Sequence, residues 1–196
     1  MCIRDSGNIA RTVVPRAKAL GLNVIAWDPY VGEGVFRSFG VERVTKIEEL
    51  LNRSDYVSVH APLSESTRGL IGEKEFQAMK STAYIINTAR GPVIDETALI
   101  NALQNEEIAG AGLDVFEVEP LPKSSPLTQM NNVVLMPHSA SYSDDSFASM
   151  QRRVGETITG IMEGRWPEYV ANPNVTPRAT LPLSLIHISE PTRPLY

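Results

Sequence analysis

The feature that most constrains the fold is the regular alternation of short apolar runs with segments of helical spacing. The apolar runs end at turn residues or proline and are too short for helices, which is typical of buried strands. Between them, apolar residues recur at the three- and four-residue spacing of an amphipathic helix. Continuous apolar strands that alternate with helices indicate a parallel sheet with helices on both faces. We therefore predict an α/β doubly wound fold.

The pattern predicts five strands and five helices in chain order. The strands are expected at residues 23–27, 56–60, 83–87, 108–113 and 132–136. The helices are expected at residues 8–20, 46–51, 73–79, 95–103 and 143–162, with Asp95 as an N-cap. No repeat or interior linker interrupts this order.

Composition excludes several classes of protein. With 42% hydrophobic residues and a net charge of −5 in 196 residues, the chain is neither disordered nor basic. Binding to nucleic acid or to an anionic membrane surface is therefore not expected. The single cysteine, Cys2, allows neither an internal disulfide nor a cysteine-rich metal site. We expect no metal and a cytoplasmic location.

Both ends differ from the middle of the chain. Residues 1–6 and 183–196 show no helix or strand period and resemble translated sequencing-adapter sequence. We expect both segments to be artefacts, with poorly ordered genuine termini as the alternative.

Residues at the start of the first helix resemble half of a dinucleotide-binding motif. Gly7 and Ala10 match the second and third positions of G-x-G-x-x-G/A, with Asn8 and Ile9 between them. Asp5 stands where the first glycine belongs, and the strand that should precede it is expected to be missing. The motif directs backbone N–H groups at a pyrophosphate, although a simple helix cap would give the same residues.

Asp28 strengthens the case for a nucleotide site. It lies 21 residues after Gly7, at the end of a predicted strand. A carboxylate there accepts hydrogen bonds from the adenosine ribose and repels a 2′-phosphate. Residues 29–35 contain no Arg or Lys, which favours NAD over NADP. The alternative is that Asp28 is only a turn residue before proline.

Three segments at strand ends carry the side chains that reduction of a 2-keto acid needs. Residues 87–91, 112–120 and 136–140 supply a guanidinium, several carboxylates and an imidazole. A guanidinium binds a substrate carboxylate through two hydrogen bonds, and an imidazolium donates a proton to the carbonyl oxygen. A neighbouring carboxylate orients the imidazole. Each residue alone could equally be a surface or loop residue, and His60 is expected to pack at a strand end.

Four segments of the chain resemble the D-isomer-specific 2-hydroxyacid dehydrogenases. They are SVHAPLSESTRGLI (residues 58–71), INTARGPVIDETAL (86–99), GLDVFEVEP (112–120) and NVVLMPHSA (132–140). The resemblance extends from about residue 7 to residue 175. It implies a Rossmann-type NAD-binding domain and a 2-hydroxy acid or 2-keto acid substrate.

The resemblance also implies roles for individual residues. Arg90 would bind the substrate, His138 would be the acid/base and Glu119 its carboxylate partner, while Asp114 would contact the nicotinamide carboxamide. The residues implied to bind the cofactor are Gly7, Asn8, Ile9, Asp28, Pro62, Thr67, Thr88, Ala89, Arg90, Asp114, His138, Ser139 and Ala140.

The branch within the family is less sharply indicated. Glu119 argues against a formate dehydrogenase, in which a Gln takes this position. Residues 138–146 are similar to the branch with phosphoglycerate dehydrogenase-like proteins and the C-terminal-binding corepressors. That branch often has an aromatic residue where this chain has Ser141.

The resemblance implies that this chain is part of a larger protein. We expect an NAD-binding domain at residues 7–171 and, at residues 172–182, a remnant of the segment that returns to an absent substrate domain. The parent protein would be a homodimeric NAD-dependent oxidoreductase. The alternatives are an NAD-sensing binding module of the corepressor type and a truncated chain without activity.

Overall fold

The computed structural model describes residues 2–4, 7–167, 170 and 172, and side-chain positions from residue 7 onward. Of the predicted segments, residues 183–196 lie outside the described residues, as do Asp5 and nearly all of 172–182. The described residues up to Ala140 form one compact unit, and those from Ser141 belong to a second. The domain bounds of 7–171 stay a prediction.

The first unit contains seven described strands and five α-helices. The strands are Cys2–Arg4 (β1), Ile25–Trp27 (β2), Glu42–Arg43 (β3), Tyr56–Val59 (β4), Tyr84–Asn87 (β5), Gly110–Leu113 (β6) and Val133–Leu135 (β7). The helices are Asn8–Ala19 (α1), Glu33–Ser38 (α2), Ile47–Arg53 (α3), Glu73–Gln77 (α4) and Glu96–Gln104 (α5), with short 3₁₀ turns at Gly91–Val93 and Pro126–Gln129.

The strands form one parallel sheet in the order β3-β2-β1-β4-β5-β6-β7. The chain builds one half outward from β1 to β3, then crosses back to β4 and builds the other half. Ligands bind in such sheets beyond the carboxyl ends of the strands, at the point where the order reverses. The predicted doubly wound α/β fold is therefore confirmed.

The expectation that the first strand is missing is wrong. Residues 2–4 form β1, which pairs with both β2 and β4 at the centre of the sheet. The segment lacks a helix or strand period because three residues are too few to show one. Its neighbours on both sides supply hydrogen-bonding edges, so the backbone pairs there whatever the local pattern.

Helices cover the sheet, and two clusters of apolar side chains form the core between them. The larger cluster surrounds β4, β5 and β6 and includes Leu51, Phe76 and Ile85, which are fully buried. The smaller one joins α1, β2 and α2. The sequence pattern missed α2 and β3 because six and two residues are too short to establish a period.

The remaining predicted elements are present, with ends shifted by a few residues. Asp95 is the predicted N-cap of α5, since its Oδ1 accepts a hydrogen bond 2.9 Å long from the N–H of Ala98. None of the helices in the described part of the chain is long and apolar enough to cross a membrane.

The second unit contains the helix α6, Asp144–Met162. Ser143 caps it, because its hydroxyl accepts from the N–H of Ser146 while the Ser146 hydroxyl accepts from the N–H of Ser143. One apolar stripe of the helix is exposed, formed by Phe147, Met150, Val154, Ile158 and Ile161.

Candidate active site

The candidate catalytic side chains follow β5, β6 and β7, which are neighbours in the sheet. Arg90 comes three residues after β5, Glu119 lies in the loop after β6, and His138 lies in the loop after β7. Because the strands are parallel, all three loops leave the same edge of the sheet. The fold thus brings together residues that are up to 48 positions apart in the sequence.

His138 and Glu119 form a direct pair. The Nδ1 atom of His138 lies 2.7 Å from Oε2 of Glu119. A carboxylate only accepts, so Nδ1 carries the hydrogen and Nε2 is left for proton exchange. The other carboxylate oxygen, Oε1, accepts a hydrogen bond 3.1 Å long from the N–H of Phe116. Both oxygens are therefore held, and the carboxylate in turn orients the imidazole.

This pairing lowers the pKa of the Glu119 carboxyl below its usual range. The hydrogen bond from His138 is the largest cause, and the N–H of Phe116 and the charges of His138 and Arg90 act in the same direction. Partial burial opposes them. Glu119 is thus a carboxylate at neutral pH, as the role of an orienting partner requires.

The loop of His138 is held by the buried carboxylate of Asp114. Its Oδ1 accepts from the N–H of Ser139 at 2.7 Å, and its Oδ2 accepts from the N–H of Ala140 at 2.9 Å. His138 itself has a φ of 54°, a left-handed conformation that is costly for a residue with a Cβ. The two hydrogen bonds to Asp114 lie directly after this position and stabilise the turn.

Asn87 organises the loop that carries Arg90. It is 1% exposed at the end of β5. Its Nδ2 donates to the carbonyl of Arg90 at 3.1 Å, and its Oδ1 accepts from the N–H of Ala89 at 3.0 Å. Arg90 is exposed, and one guanidinium N–H donates to the carbonyl of Ala89. The sequence analysis did not single out Asn87, although a polar residue that ends a buried strand could have indicated it.

The sequence analysis did not assign a role to Gly91 either. A Cβ built on Gly91 would lie 1.8 Å from the carbonyl oxygen of Phe116 and 2.6 Å from the nitrogen of Glu117. Only glycine permits this approach between the loop after β5 and the loop after β6. The contact sets how close Arg90 can lie to the Glu119 loop.

The other predicted cofactor residues lie at the same edge of the sheet. Gly7 is the N-cap of α1 and makes no side-chain cap hydrogen bond, and the N-terminal end of a helix attracts an anion. After β4, the buried Thr67 hydroxyl donates to the carbonyl of Pro62 at 2.6 Å and accepts from the N–H of Ser64 at 2.8 Å. Thr67 and Pro62 are therefore brought together in one tight loop. Thr88 and Ala89 are partly buried between Asn87 and Arg90.

Asp28 follows β2, as predicted, and it also makes a turn. Its Oδ1 accepts from the N–H groups of Tyr30 at 2.8 Å and Val31 at 3.2 Å. The side chain is 5% exposed. The alternative of a turn residue is thus correct as a description of these contacts, and the proposed ribose contact stays a prediction.

His60 behaves differently from His138. Burial lowers the pKa of His60 to about 4, and its Nε2 lies 2.9 Å from the hydroxyl of Ser58. It is neutral at physiological pH and packs at the end of β4, as predicted. Within the described residues, no group of three His, Cys, Asp or Glu side chains is arranged to hold a metal ion.

A sequence model of the family described as "D-isomer specific 2-hydroxyacid dehydrogenase, NAD binding domain" matches residues 1–140. The chain belongs to this family. The match ends at the residue where the first compact unit ends. The resemblance drawn from the four motifs, the Rossmann-type fold and NAD as the cofactor of the family are therefore confirmed.

Individual 2-hydroxyacid dehydrogenases match most of the chain. It is 43% identical over 169 residues to a glyoxylate reductase from Korarchaeum cryptofilum, and the match covers 86% of this chain and 51% of that protein. It is 43% identical over 170 residues to a D-3-phosphoglycerate dehydrogenase from Methanocaldococcus jannaschii, covering 86% of this chain and 32% of that protein. The chain spans about half the length of the glyoxylate reductase and a third of the phosphoglycerate dehydrogenase.

Solved structures of the family share the fold. The D-isomer specific 2-hydroxyacid dehydrogenase from Lactobacillus delbrueckii ssp. bulgaricus, in its NAD-complexed form, aligns with a TM-score of 0.76 and 36% identity. That alignment covers 87% of this chain and 55% of the other. The holo form of Rhodotorula graminis D-mandelate dehydrogenase aligns with a TM-score of 0.75 and 36% identity, covering 85% of this chain and 48% of the other.

Replacing Gly91 with alanine is expected to destabilise this 2-hydroxyacid dehydrogenase domain. The added Cβ would meet the backbone of Phe116, which cannot move aside like a flexible side chain. Urea denaturation should show a loss of about 1–3 kcal/mol, the usual cost of overpacking. The control is Gly34→Ala in α2, where a Cβ meets nothing within 4 Å and stability should not fall. Equal effects of the two substitutions would contradict the close approach.

Replacing His138 with alanine is expected to raise the pKa of Glu119 toward its usual value, because the largest cause of its lowering is removed. A carboxyl whose folded-state pKa is lowered stabilises the fold above its unfolded pKa. That stabilisation is lost as the pH falls through the folded value. The variant should therefore lose less stability on acidification.

A ¹³C NMR titration of the side-chain carboxyl groups measures this shift. Asp55, whose pKa is lowered chiefly by its hydrogen bond from Lys80, is the internal control and should not change. An unchanged Glu119 titration would show that His138 is not its partner in solution.

Proposed function

We propose that the parent protein of this chain transfers a hydride between NADH and a 2-keto acid, forming a D-2-hydroxy acid. The observation that carries the proposal is the His138–Glu119 pair, in which Nδ1 and Oε2 are 2.7 Å apart. The pair lies at the edge of the sheet that also presents Arg90. An imidazole with an orienting carboxylate and a nearby guanidinium is the set of groups that this reduction needs.

Each side chain has a separate task. Arg90 binds the substrate carboxylate through a planar fork of two N–H groups, which an ammonium cannot reproduce. His138 donates a proton from Nε2 to the carbonyl oxygen, while Glu119 accepts from Nδ1 and orients the ring. NADH, when bound, would supply the hydride that the carbonyl carbon accepts. In the reverse direction, His138 accepts the hydroxyl proton.

The dinucleotide would be held by residues at the carboxyl ends of the strands, where the strand order reverses. The N–H groups at the start of α1, at Gly7, Asn8 and Ile9, would bind the pyrophosphate, and the Asp28 carboxylate would bind the adenosine ribose. Pro62, Thr67, Thr88 and Ala89 line the path to the nicotinamide. Asp114, Ser139 and Ala140 lie at its far end beside His138. Asp114, whose carboxylate accepts from the N–H groups of Ser139 and Ala140, would contact the nicotinamide carboxamide.

The substrate is a small 2-keto acid. Support comes from the relatives, which include a glyoxylate reductase and a D-3-phosphoglycerate dehydrogenase. We further propose that the parent protein is a homodimer and works in the cytoplasm. The support is the family resemblance and the single cysteine in the chain.

Turnover tests the proposal. The parent protein should oxidise NADH when given glyoxylate or another 2-keto acid, measured as loss of absorbance at the nicotinamide band. His138→Ala should lower kcat by about 10²–10⁴-fold, the usual contribution of a positioned acid/base. Arg90→Lys should raise KM for the keto acid more than it lowers kcat. The matched control is Arg16→Lys, at an exposed position on α1.

Two outcomes would overturn the proposal. The first is full turnover in His138→Ala. The second is NADH binding by the parent protein without turnover of any 2-keto acid, which would instead fit a dinucleotide-sensing binding module.

Asp28 should set the preference for NADH over NADPH. Asparagine is the informative replacement, because Asp28→Asn keeps an oxygen to accept from Tyr30 and Val31 while it removes the negative charge. The ratio of kcat/KM for NADH to that for NADPH should fall, since repulsion of the 2′-phosphate is lost. The control is Glu33→Gln, which removes a nearby exposed charge. A preference for NADPH in the unmodified protein would contradict this role.

A further inference from the structure

Two glutamates exchange hydrogen bonds with each other's backbone between α5 and the loop after β6. Oε2 of Glu96 accepts from the N–H of Glu117 at 3.1 Å, and Oε1 of Glu117 accepts from the N–H of Glu96 at 3.3 Å. The two residues are 21 positions apart. The arrangement is therefore a tertiary link and not part of a local turn.

Both side chains in this link are carboxylates and carry the same charge. Two carboxylates cannot form an ion pair, and bringing them together costs free energy unless each finds a donor. Here each carboxylate is satisfied by a backbone N–H that would otherwise lack a partner at a helix start or in a loop. The link and the Asp95 cap serve different donors of α5, since Asp95 accepts from the N–H of Ala98 and Glu117 accepts from the N–H of Glu96.

The link acts on the loop that carries Glu119. Glu117 follows Phe116, whose N–H donates to Oε1 of Glu119, and whose carbonyl lies against Gly91. Fixing the backbone at Glu117 therefore fixes the donor to Glu119 and the distance to the Arg90 loop. The charged groups that act on Glu119 itself are His138 and Arg90.

We propose that Glu96 and Glu117 are positioning residues, which hold the Glu119 loop so that its carboxylate faces His138. The assignment rests on the proposed function for the meaning of that pair, but the geometry it concerns exists in this chain without substrate. Oxygen acceptors are what the link requires. Negative charge is not required.

The experiment uses this chain and measures the titration of the Glu119 carboxyl group directly. The pKa of Glu119 is measured by ¹³C NMR titration in the unmodified chain and in Glu96→Ala, Glu96→Gln, Glu117→Ala and Glu117→Gln. The alanine variants should raise that pKa by roughly half a unit or more, because the hydrogen bond from Phe116 and the contact with His138 loosen. The glutamine variants keep an acceptor oxygen and should restore the unmodified value to a large degree.

A matched control separates position from charge. Glu48 is an exposed acid in the first turn of α3, the position that the partly buried Glu96 has in α5. Glu48→Ala should leave the Glu119 titration unchanged. Equal shifts in the alanine and glutamine variants, or a shift in Glu48→Ala, would assign the effect to charge and overturn the proposal. No shift in any variant would also overturn it.

A second measurement covers the case in which an alanine variant does not fold. In the unmodified chain, the amide hydrogens of Glu96 and Glu117 should exchange with solvent more slowly than that of Glu48, at least tenfold after correction for sequence. Exchange as fast as at Glu48 would show that the link is absent. Neither readout needs turnover, so failure of the proposed dehydrogenase activity would leave this test intact.

Discussion

Parallel pairing of β5, β6 and β7 is the constraint on which the candidate site depends. Because the three strands run in one direction, their carboxyl ends meet at one edge of the sheet. Arg90, Glu119 and His138 each follow one of these ends. Their proximity is thus a consequence of topology, and the sequence distance between them is irrelevant to it.

Hydrogen bonds between polar side chains and the backbone hold the loops that the topology brings to this edge. Asn87 holds the loop of Arg90, Asp114 holds the turn after His138, and Glu119 accepts from Phe116 as well as from His138. Asn87 and Asp114 are buried, where an unpaired polar group is costly. A loop held through such groups has few alternative conformations, which a catalytic arrangement requires.

The two histidines show how position decides chemistry. His60 and His138 both follow a strand of the same sheet, but burial makes His60 neutral, whereas His138 is half exposed and paired with a carboxylate. Of the two, His138 is the one with an accessible ring beside a carboxylate. The residue type alone would not distinguish them.

The sequence by itself determined the α/β alternation, the approximate positions of most strands and the three residue types of the candidate site. These follow from local periodicity and from motif spacing, which are properties of neighbouring residues. Tertiary structure decided the rest. Residues 2–4 became the central strand because β2 and β4 offer edges on both sides, although three residues show no period of their own. The close approach at Gly91, the hydrogen bonds from the turn after His138 to Asp114 and the link between Glu96 and Glu117 join residues 21 to 26 positions apart, so no local pattern could have indicated them.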